Sequence, residues 1–393
     1  MRPDARRHHV RAILDVEITN CCNAHCVMCP RERTPARGFM ARATFERVVE
    51  RACEYGAVES FALGGLGEPL LHAEILDFVA QAAEAGLKPA IITNASLLTP
   101  ELGQRLADAG LAHLNVSLGG FRKDTYEQVH RGLQFGITYR NLLTFLALPR
   151  RRTSVSIQIS PTEASVREAE EIARFWRAAG VDFCFMFPQA ANRGGALEGN
   201  GSLSDSALAR QEHWPRGVLN IEMIFRPRRH DYRLIHRRAV FPCAAKDRGT
   251  FISWQGNYHS CSNDYEKRFP LGSVVEMSLE EAYERKAALG PGNFVPCARC
   301  NLRGTDVPPR SPRFYWTLAW HLLGSHMARL RGTHPHPDLP TAESEREGYP
   351  SGSPSLFTNR LNVSTNDVTS ADADTGPARR EPATIGQSSR AQE

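Results

Sequence analysis

The segment ITNCCNAHCVMCPR, residues 18–31, sets Cys22, Cys26 and Cys29 in a CxxxCxxC spacing. Three thiolates this close together can ligate three irons of a cubane cluster and leave the fourth without a protein ligand. An iron with an open position is a place for chemistry, whereas a fully liganded cluster only passes electrons. A structural zinc knuckle is the alternative, but zinc sites favour CxxC pairs with a fourth ligand nearby. A second group, Cys243, Cys261, Cys297 and Cys300, is spaced CX17C and then, after a gap, CX2C, with Gly256 ahead of Cys261. Four thiolates saturate a four-iron cluster and leave no open iron, and a zinc ion on the same four is the alternative. Cys21 has the wrong spacing to Cys26 and is expected to pack. Cys53 lies in a helical pattern and is expected to face the core.

These groups need a frame, and the chain has the length for one. Its 393 residues allow one large domain, a small second domain and a tail. VRAILDVEI at 10–18 reads as a strand, ATFERVVERACEYG at 43–56 as a helix and VESFALGG at 58–65 as a strand ending in glycines. AEILDFVAQAAEAG at 73–86 is an amphipathic helix followed by the strand KPAIITN at 88–94. A helix at 99–109 leads to AHLNVSLGG at 112–120. After Lys123–Val129 and a helix near 138–148 come SVSIQIS at 154–160, SVREAEEIARFWRAAG at 165–180 and VDFCFMFP at 181–188. Six βα-like units imply a parallel sheet covered by helices, whose active site lies at the carboxyl ends of the strands. The first cysteine group falls there, after the first strand.

The expected domains are a barrel at 1–195, a bridge at 196–240, an auxiliary cysteine domain with hairpin-like pieces at 241–303, and a C-terminal segment at 304–393. In that last segment RFYWTLAWHLLGSHMARLR can form a helix, and 332–393 is polar enough to stay disordered. Ten cysteines are too sparse for a secreted disulfide scaffold, MRPDARRHHV is not signal-like, and no run of about 18 apolar residues occurs. A cytoplasmic protein with no membrane partner is expected. The formal charge of +5 is mild, and the arginine clusters near 150–152 and 227–238 do not alternate with aromatics, so no nucleic-acid partner is expected.

On these residues the chain resembles the radical S-adenosylmethionine superfamily from about residue 10 to 302. The resemblance implies an α/β fold, a partial (β/α)6 TIM-like barrel with a small C-terminal auxiliary iron–sulfur domain. The open iron on Cys22, Cys26 and Cys29 would chelate the methionyl group of S-adenosylmethionine. Reductive cleavage would then give methionine and a 5′-deoxyadenosyl radical. GGLGEPL at 64–70 is similar to the family's glycine–glutamate–proline motif. Gly64, Gly65 and Gly67 would let main-chain groups approach the methionine moiety, and Glu68 would contact the cofactor or brace the loop. Thr93 and Asn94 stand where the family often has a Thr-Asn-Gly turn, with Ala95 in place of the glycine. Ser117 and Arg131 would meet the cofactor carboxylate and Gln158 the ribose; for each, capping or lining the barrel is the alternative. Asn192, Arg193, Gly194 and Gly195 would form a polar–glycine turn around the adenosine.

Cys243, Cys261, Cys297 and Cys300 resemble the shortened SPASM, or twitch, domain, which binds one auxiliary 4Fe–4S cluster. Together the two groups imply two four-iron clusters. Family members with this arrangement include aminocyclitol dehydrogenases of aminoglycoside antibiotic biosynthesis. By that resemblance the radical would take hydrogen from a carbinol carbon of an aminocyclitol or aminoglycoside, and the auxiliary cluster would accept an electron as the ketone forms. A flavodoxin or ferredoxin would reduce the first cluster. Arg193, Tyr258, Asn263 and Asp264 are candidates for the base and substrate contacts. A sugar epimerase is the runner-up, and it requires a thiol donor. Cys184 would serve if it faced the barrel, a direction that the wholly apolar FCFMF leaves open. Peptide modification is a third reading, disfavoured because the cluster loop starts too early to leave room for a leader-recognition domain. A zinc-stabilised binding protein without activity is the fourth.

Overall fold

The computed structural model describes residues 12–149, 151–160, 162–186, 215–216, 218–220, 249–288 and 338. The chain divides into Met1–Leu339 and Pro340–Glu393, and every described residue lies in the first unit. The expected helix at 313–331 and the tail lie outside the described residues.

Strands and helices alternate as β1 (Ala12–Val16), α1 (Arg42–Tyr55), β2 (Val58–Leu63), α2 (Ile75–Glu84), β3 (Pro89–Thr93), α3 (Pro100–Asp108) and β4 (His113–Leu118). Then follow α4 (Lys123–Val129), α5 (Phe135–Leu146), β5 (Ser154–Ile159), α6 (Glu163–Ala178) and β6 (Phe183–Met186). Strands β1 to β6 pair in sequence order and all in parallel, as a (β/α)6 partial barrel requires. β7 (Val218–Asn220) extends the sheet in parallel beyond β6. The local signals that start and stop the helices are ordinary ones. Thr99 and Thr162 cap α3 and α6 by accepting from Leu102 N and Ser165 N, and α1 stops at Gly56 in the left-handed conformation, φ 70°.

One outcome could not be read locally. β8 (Gly249–Ile252), from the segment assigned to the auxiliary domain, lies parallel to β1 on its open side. β9 (Asn257–His259) and β10 (Pro270–Ser273) continue from it as the expected antiparallel hairpins, and α7 (Leu279–Ala288) follows. The auxiliary segment therefore extends the barrel's own sheet beyond β1, and β10 forms the edge on that side.

Register separates the two faces of the sheet. Leu14, Phe61 and Leu63, Ile91, Leu114 and Val116, and Val155 and Ile157 stand in register on one face, all buried under the helices. Each such side chain contributes about 1.5–3 kcal/mol on burial. The opposite face, the lumen, carries Ile92 beside Asn115 and Ser156, and Ser117 beside Gln158 and Phe185. Polar side chains there bond one another: Asn115 donates to Gln158 Oε1 at 3.1 Å, and His113 lies 2.8 Å from Ser156 Oγ.

The loop after β4 is held by a carboxylate from α6. Glu168 accepts from Phe121 N at 2.6 Å, Arg122 N at 3.2 Å and Thr125 Oγ1 at 2.7 Å. Burial pushes its pKa up, but these bonds outweigh burial and leave it below the ordinary 4.5. A carboxyl lowered by folding adds stability at neutral pH and loses it as pH falls through its folded value. Glu168→Ala is expected to cost about 2–4 kcal/mol in denaturant unfolding, since several donors lose one acceptor. Below pH 4 the gap to the parent should narrow, and a gap that stays constant with pH would contradict this account.

Candidate active site

The three signature cysteines occupy the loop between β1 and a single 3-10 turn at Pro30–Arg33. The loop makes little regular structure of its own, so its backbone is held by neighbours. His25 N donates to Arg131 O at 2.7 Å and Val27 N to Val129 O at 3.0 Å. The buried Arg31 guanidinium donates to Cys22 O and Ala24 O, each at 3.0 Å. Asn23 accepts from Asn94 Nδ2 and donates to Ser96 Oγ, each at 2.9 Å, tying the loop to the end of β3.

The thiols bear on one another. Burial, and then the Glu68 charge, push the Cys22 thiol up to about 12, with Cys29 adding to the rise. Burial and then Cys29 and Cys22 push Cys26 up further. Burial and repulsion thus disfavour thiolates at Cys22 and Cys26, and a cation among them offsets both, which is the chemistry of a cluster-binding donor set. Among the described residues no three His, Cys, Asp or Glu side chains form a group able to hold one metal ion. Thiolates around a cubane each take a separate iron and need not converge so closely. Ala24 N lies 3.4 Å from Cys22 Sγ, and His130 Nδ1 lies 3.1 Å from Cys26 Sγ. Both approach sulfur as donors to a thiolate would.

The glycine motif lies against this loop, for a reason the sequence did not reveal. A Cβ on Gly67 would fall 2.1 Å from Thr19 O and 2.8 Å from Cys21 O, the backbone leading into the signature. Gly65 has φ +123°, and its Cβ would meet Glu17. A Cβ on Gly64 would press on Ile92. The glycines are thus needed for close packing within the protein, beyond the main-chain access expected of them. Glu68 is fully buried and accepts from Thr93 Oγ1 at 2.6 Å, Asn94 N at 2.7 Å and Leu70 N at 3.1 Å. That is the bracing role, joining the loops after β2 and β3. Burial raises its carboxyl to about 7 against the pull of those bonds. Ala95, in place of the turn glycine, adopts φ 57°.

The remaining sites divide. Ser117 and Gln158 share a register position on the lumen face. Arg131 is exposed beside the cluster loop, which its carbonyl holds. Cys184 is paired with Ile157, fully buried in the helix-facing core, with Arg177 of α6 beside it. The lumen-facing direction entertained for it is therefore corrected. Tyr258 is also fully buried, its hydroxyl without a hydrogen bond and its surroundings Arg51 and Glu54 of α1 and Glu281 of α7, so it packs beneath the helices and does not reach toward substrate. Asp264 accepts from His259 Nδ1 at 2.7 Å, and from Arg268 N and Phe269 N at 3.0 Å each. It organises a turn and leaves no carboxylate oxygen free of that task. Asn263 is buried in the same turn. Cys53 is exposed on α1, contrary to its expected core position, with its thiol toward Ala85 O. Asn192, Arg193, Gly194, Gly195, Cys243, Cys297 and Cys300 lie outside the described residues, and Cys261 is half-buried.

Two contacts missed by sequence reasoning join the cysteine groups. The turn after Cys261 carries Lys267 to Glu17 at 3.2 Å, off the direction of a hydrogen bond, and Glu266 to Arg33 at 3.2 Å. Glu17 is fully buried at the end of β1. Burial holds its carboxyl above the ordinary value and the Lys267 ammonium below its own, each drawn back by the other. Lys267 has φ 56° and sits 3.9 Å over the Phe251 ring.

Comparison with known proteins agrees with this geometry. Residues 16–159 match the radical SAM superfamily and residues 243–301 an iron–sulfur cluster-binding domain, SPASM. The chain carries a radical SAM domain. With it come S-adenosylmethionine and a 4Fe–4S cluster, and with the SPASM domain auxiliary iron–sulfur binding. One relative is the tungsten-containing aldehyde ferredoxin oxidoreductase cofactor-modifying protein of Pyrococcus furiosus, 25% identical over 43% of this chain and 49% of its own. Another is the AdoMet-dependent heme synthase of Methanosarcina barkeri, 30% identical over 42% of this chain and 45% of its own. The chain thus spans about half the length of these relatives. The crystal structure of Streptococcus suis SuiB bound to precursor peptide SuiA has 16% identity and a TM-score of 0.54, covering 75% of this chain and 70% of that one. At that identity the likeness is one of fold. No helix among the described residues is long and apolar enough to cross a membrane.

Gly67→Ala tests the packing account. The methyl group would meet backbone oxygen, which cannot rotate away, so a loss of several kcal/mol in stability or outright failure to fold is expected. Gly136→Ala, where the methyl meets nothing within 4 Å, is the control and should leave the melting temperature within a degree or two. Equal melting temperatures for both variants would refute the account.

Proposed function

We propose that this chain is a radical SAM dehydrogenase that oxidises a secondary alcohol of an aminocyclitol or aminoglycoside to a ketone, in the cytoplasm and in antibiotic biosynthesis. The observation that carries the choice among radical reactions is the placement of the thiols. An epimerase must return a hydrogen atom to the substrate carbon, and among the described residues no thiol outside the signature and Cys261 is turned to the lumen. Cys184 is under the helices, Cys53 is exposed on α1, and Cys21 points toward Gly38 O. A substrate radical without a hydrogen donor is resolved by losing an electron and a proton.

When bound, S-adenosylmethionine with the reduced first cluster supplies a hydrogen-abstracting radical, and a second cluster supplies an electron acceptor. Cys22, Cys26 and Cys29 would hold the first, and Cys243, Cys261, Cys297 and Cys300 the second. Gly64, Gly65, Gly67, Asn94, Ser117, Arg131, Gln158 and Asn192 are the proposed surroundings of S-adenosylmethionine, with Glu68 bracing them from behind. The lumen amides and hydroxyls, Asn115, Ser117 and Gln158, suit a substrate rich in hydroxyl and amino groups. The carbinol gives up one hydrogen atom, one proton and one electron, and its C–O bond becomes a carbonyl. Arg193 stays as the proposed contact near the reacting carbon, while Asp264 and Tyr258 are occupied by turn and core. A flavodoxin or ferredoxin is the proposed electron donor. The relatives' names, for cofactor modification and haem synthesis, attach to proteins matched over about two-fifths of this chain.

Anaerobic reconstitution should give about eight irons per chain, and Cys26→Ala should stop the release of methionine from S-adenosylmethionine. With a C-deuterated aminocyclitol, deuterium should enter 5′-deoxyadenosine and the product should be the ketone. Solvent hydrogen at an inverted carbon would identify an epimerase instead, and zinc without iron would remove the radical reading altogether.

A further inference from the structure

His130 follows α4, and nothing in its sequence neighbourhood marks it. The structure buries it to 1% exposure and sets Nδ1 3.1 Å from Cys26 Sγ. The ring is fixed from several sides. Its backbone N donates to Tyr126 O at 2.7 Å, its carbonyl accepts from Leu133 N at 3.1 Å, and the Tyr126 ring lies 5.0 Å away. A Cβ on Gly119 would reach Nε2 at 2.8 Å, so backbone occupies that side of the ring. Nε2 has no hydrogen-bond partner.

That asymmetry selects a tautomer. A neutral imidazole has one N–H. Placed on Nε2, the proton would be a buried donor with no acceptor, which is unfavourable. Nδ1 would then also turn its lone pair toward a sulfur that is anionic whenever it ligates iron. Placed on Nδ1, the proton points at that sulfur, and only an acceptor is left unpaired. We infer that His130 donates its Nδ1–H to the sulfur of Cys26 and so raises the reduction potential of the open cluster. The inference rests on Cys26 being a ligand of that cluster.

The physical reason is charge. Reduction adds an electron to the cluster and its sulfurs, so a donor aimed at one sulfur stabilises the reduced state more than the oxidised one. His130 is a positioning residue, acting through Cys26, and has no contact with substrate in this role. It also locks Cys26 to the segment 129–131, whose carbonyls hold His25 and Val27.

The test is an EPR redox titration of the reconstituted enzyme, following the signal that changes when S-adenosylmethionine is added. His130→Leu should shift that midpoint to lower potential by about the equivalent of a tenfold change in the reduction equilibrium, ~59 mV for one electron. His130→Asn, whose amide nitrogen stands near the place of Nδ1, should recover most of the shift. If His130→Leu does not retain its iron, His130→Asn and His130→Gln are compared, and Gln, whose nitrogen reaches the Nε2 side, should have the lower potential. Midpoints equal to the parent's in the apolar variant, or equal between Asn and Gln, overturn the inference. Cys26→Ala separates the two layers of argument. Full iron content in that variant overturns the ligand assignment, whereas loss of iron there with unchanged His130→Leu midpoints overturns the His130 role alone.

Discussion

The constraint on which the rest depends is electrostatic. Three cysteines sit within one short loop at the end of β1, and burial and the neighbouring thiols both resist ionisation of Cys22 and Cys26. A loop with that burden has no hydrogen-bond ladder of its own to hold it. Its shape is therefore imposed by Arg31, which takes two of its carbonyls, by the Val129 and Arg131 carbonyls, which accept from Val27 N and His25 N, and by Asn94 from the end of β3. Rigid parallel strands fix the ends to which the loop is tied, and the metal then stabilises what the ties have arranged.

Buried carboxylates do most of the tying at this end of the barrel. Glu68 joins the loops after β2 and β3, Glu168 reaches from α6 to the loop after β4, and Glu17 meets Lys267 from the auxiliary segment. Each is expensive to bury and is kept by several donors or by a countercharge. The Glu17–Lys267 pair differs from the others. Both members are shifted toward their neutral forms, and Lys267 holds a left-handed backbone to reach the site. Such a pair contributes little to stability and much to uniqueness of position. It ties the turn after Cys261 to the end of β1, next to the signature loop.

Much of the frame was legible because it is written locally. Period-two and period-3.6 patterns marked each strand from β1 to β6 and every helix between them except α4 to within a few residues, and cysteine spacing marked the signature loop. Three things were not local. β8 pairs with β1 across most of the chain, and no local pattern states such a partner. Cys184 lies in an apolar run, so only register with Ile157 assigns its face. His130 looks like any residue that ends a short helix until its ring is seen against Cys26. The glycine motif was read correctly in place and incompletely in cause, since what its missing side chains leave room for at Gly67 is the protein's own backbone.

The division of the sheet into an apolar helix face and a polar lumen bears on how a radical would end its life there. A hydrogen-returning enzyme needs a weak S–H bond on the lumen wall, and β6 puts its cysteine on the opposite face. Moving it by one residue would suffice, because a strand's faces alternate, yet Phe185 holds the lumen position beside Gln158. What the described part of the lumen carries instead is amide and hydroxyl groups, Asn115, Ser117 and Gln158, of which Asn115 and Gln158 bond one another. Among the described residues β6 therefore places no thiol on that wall. On the far side of β1, β8 brings the auxiliary segment into the same sheet.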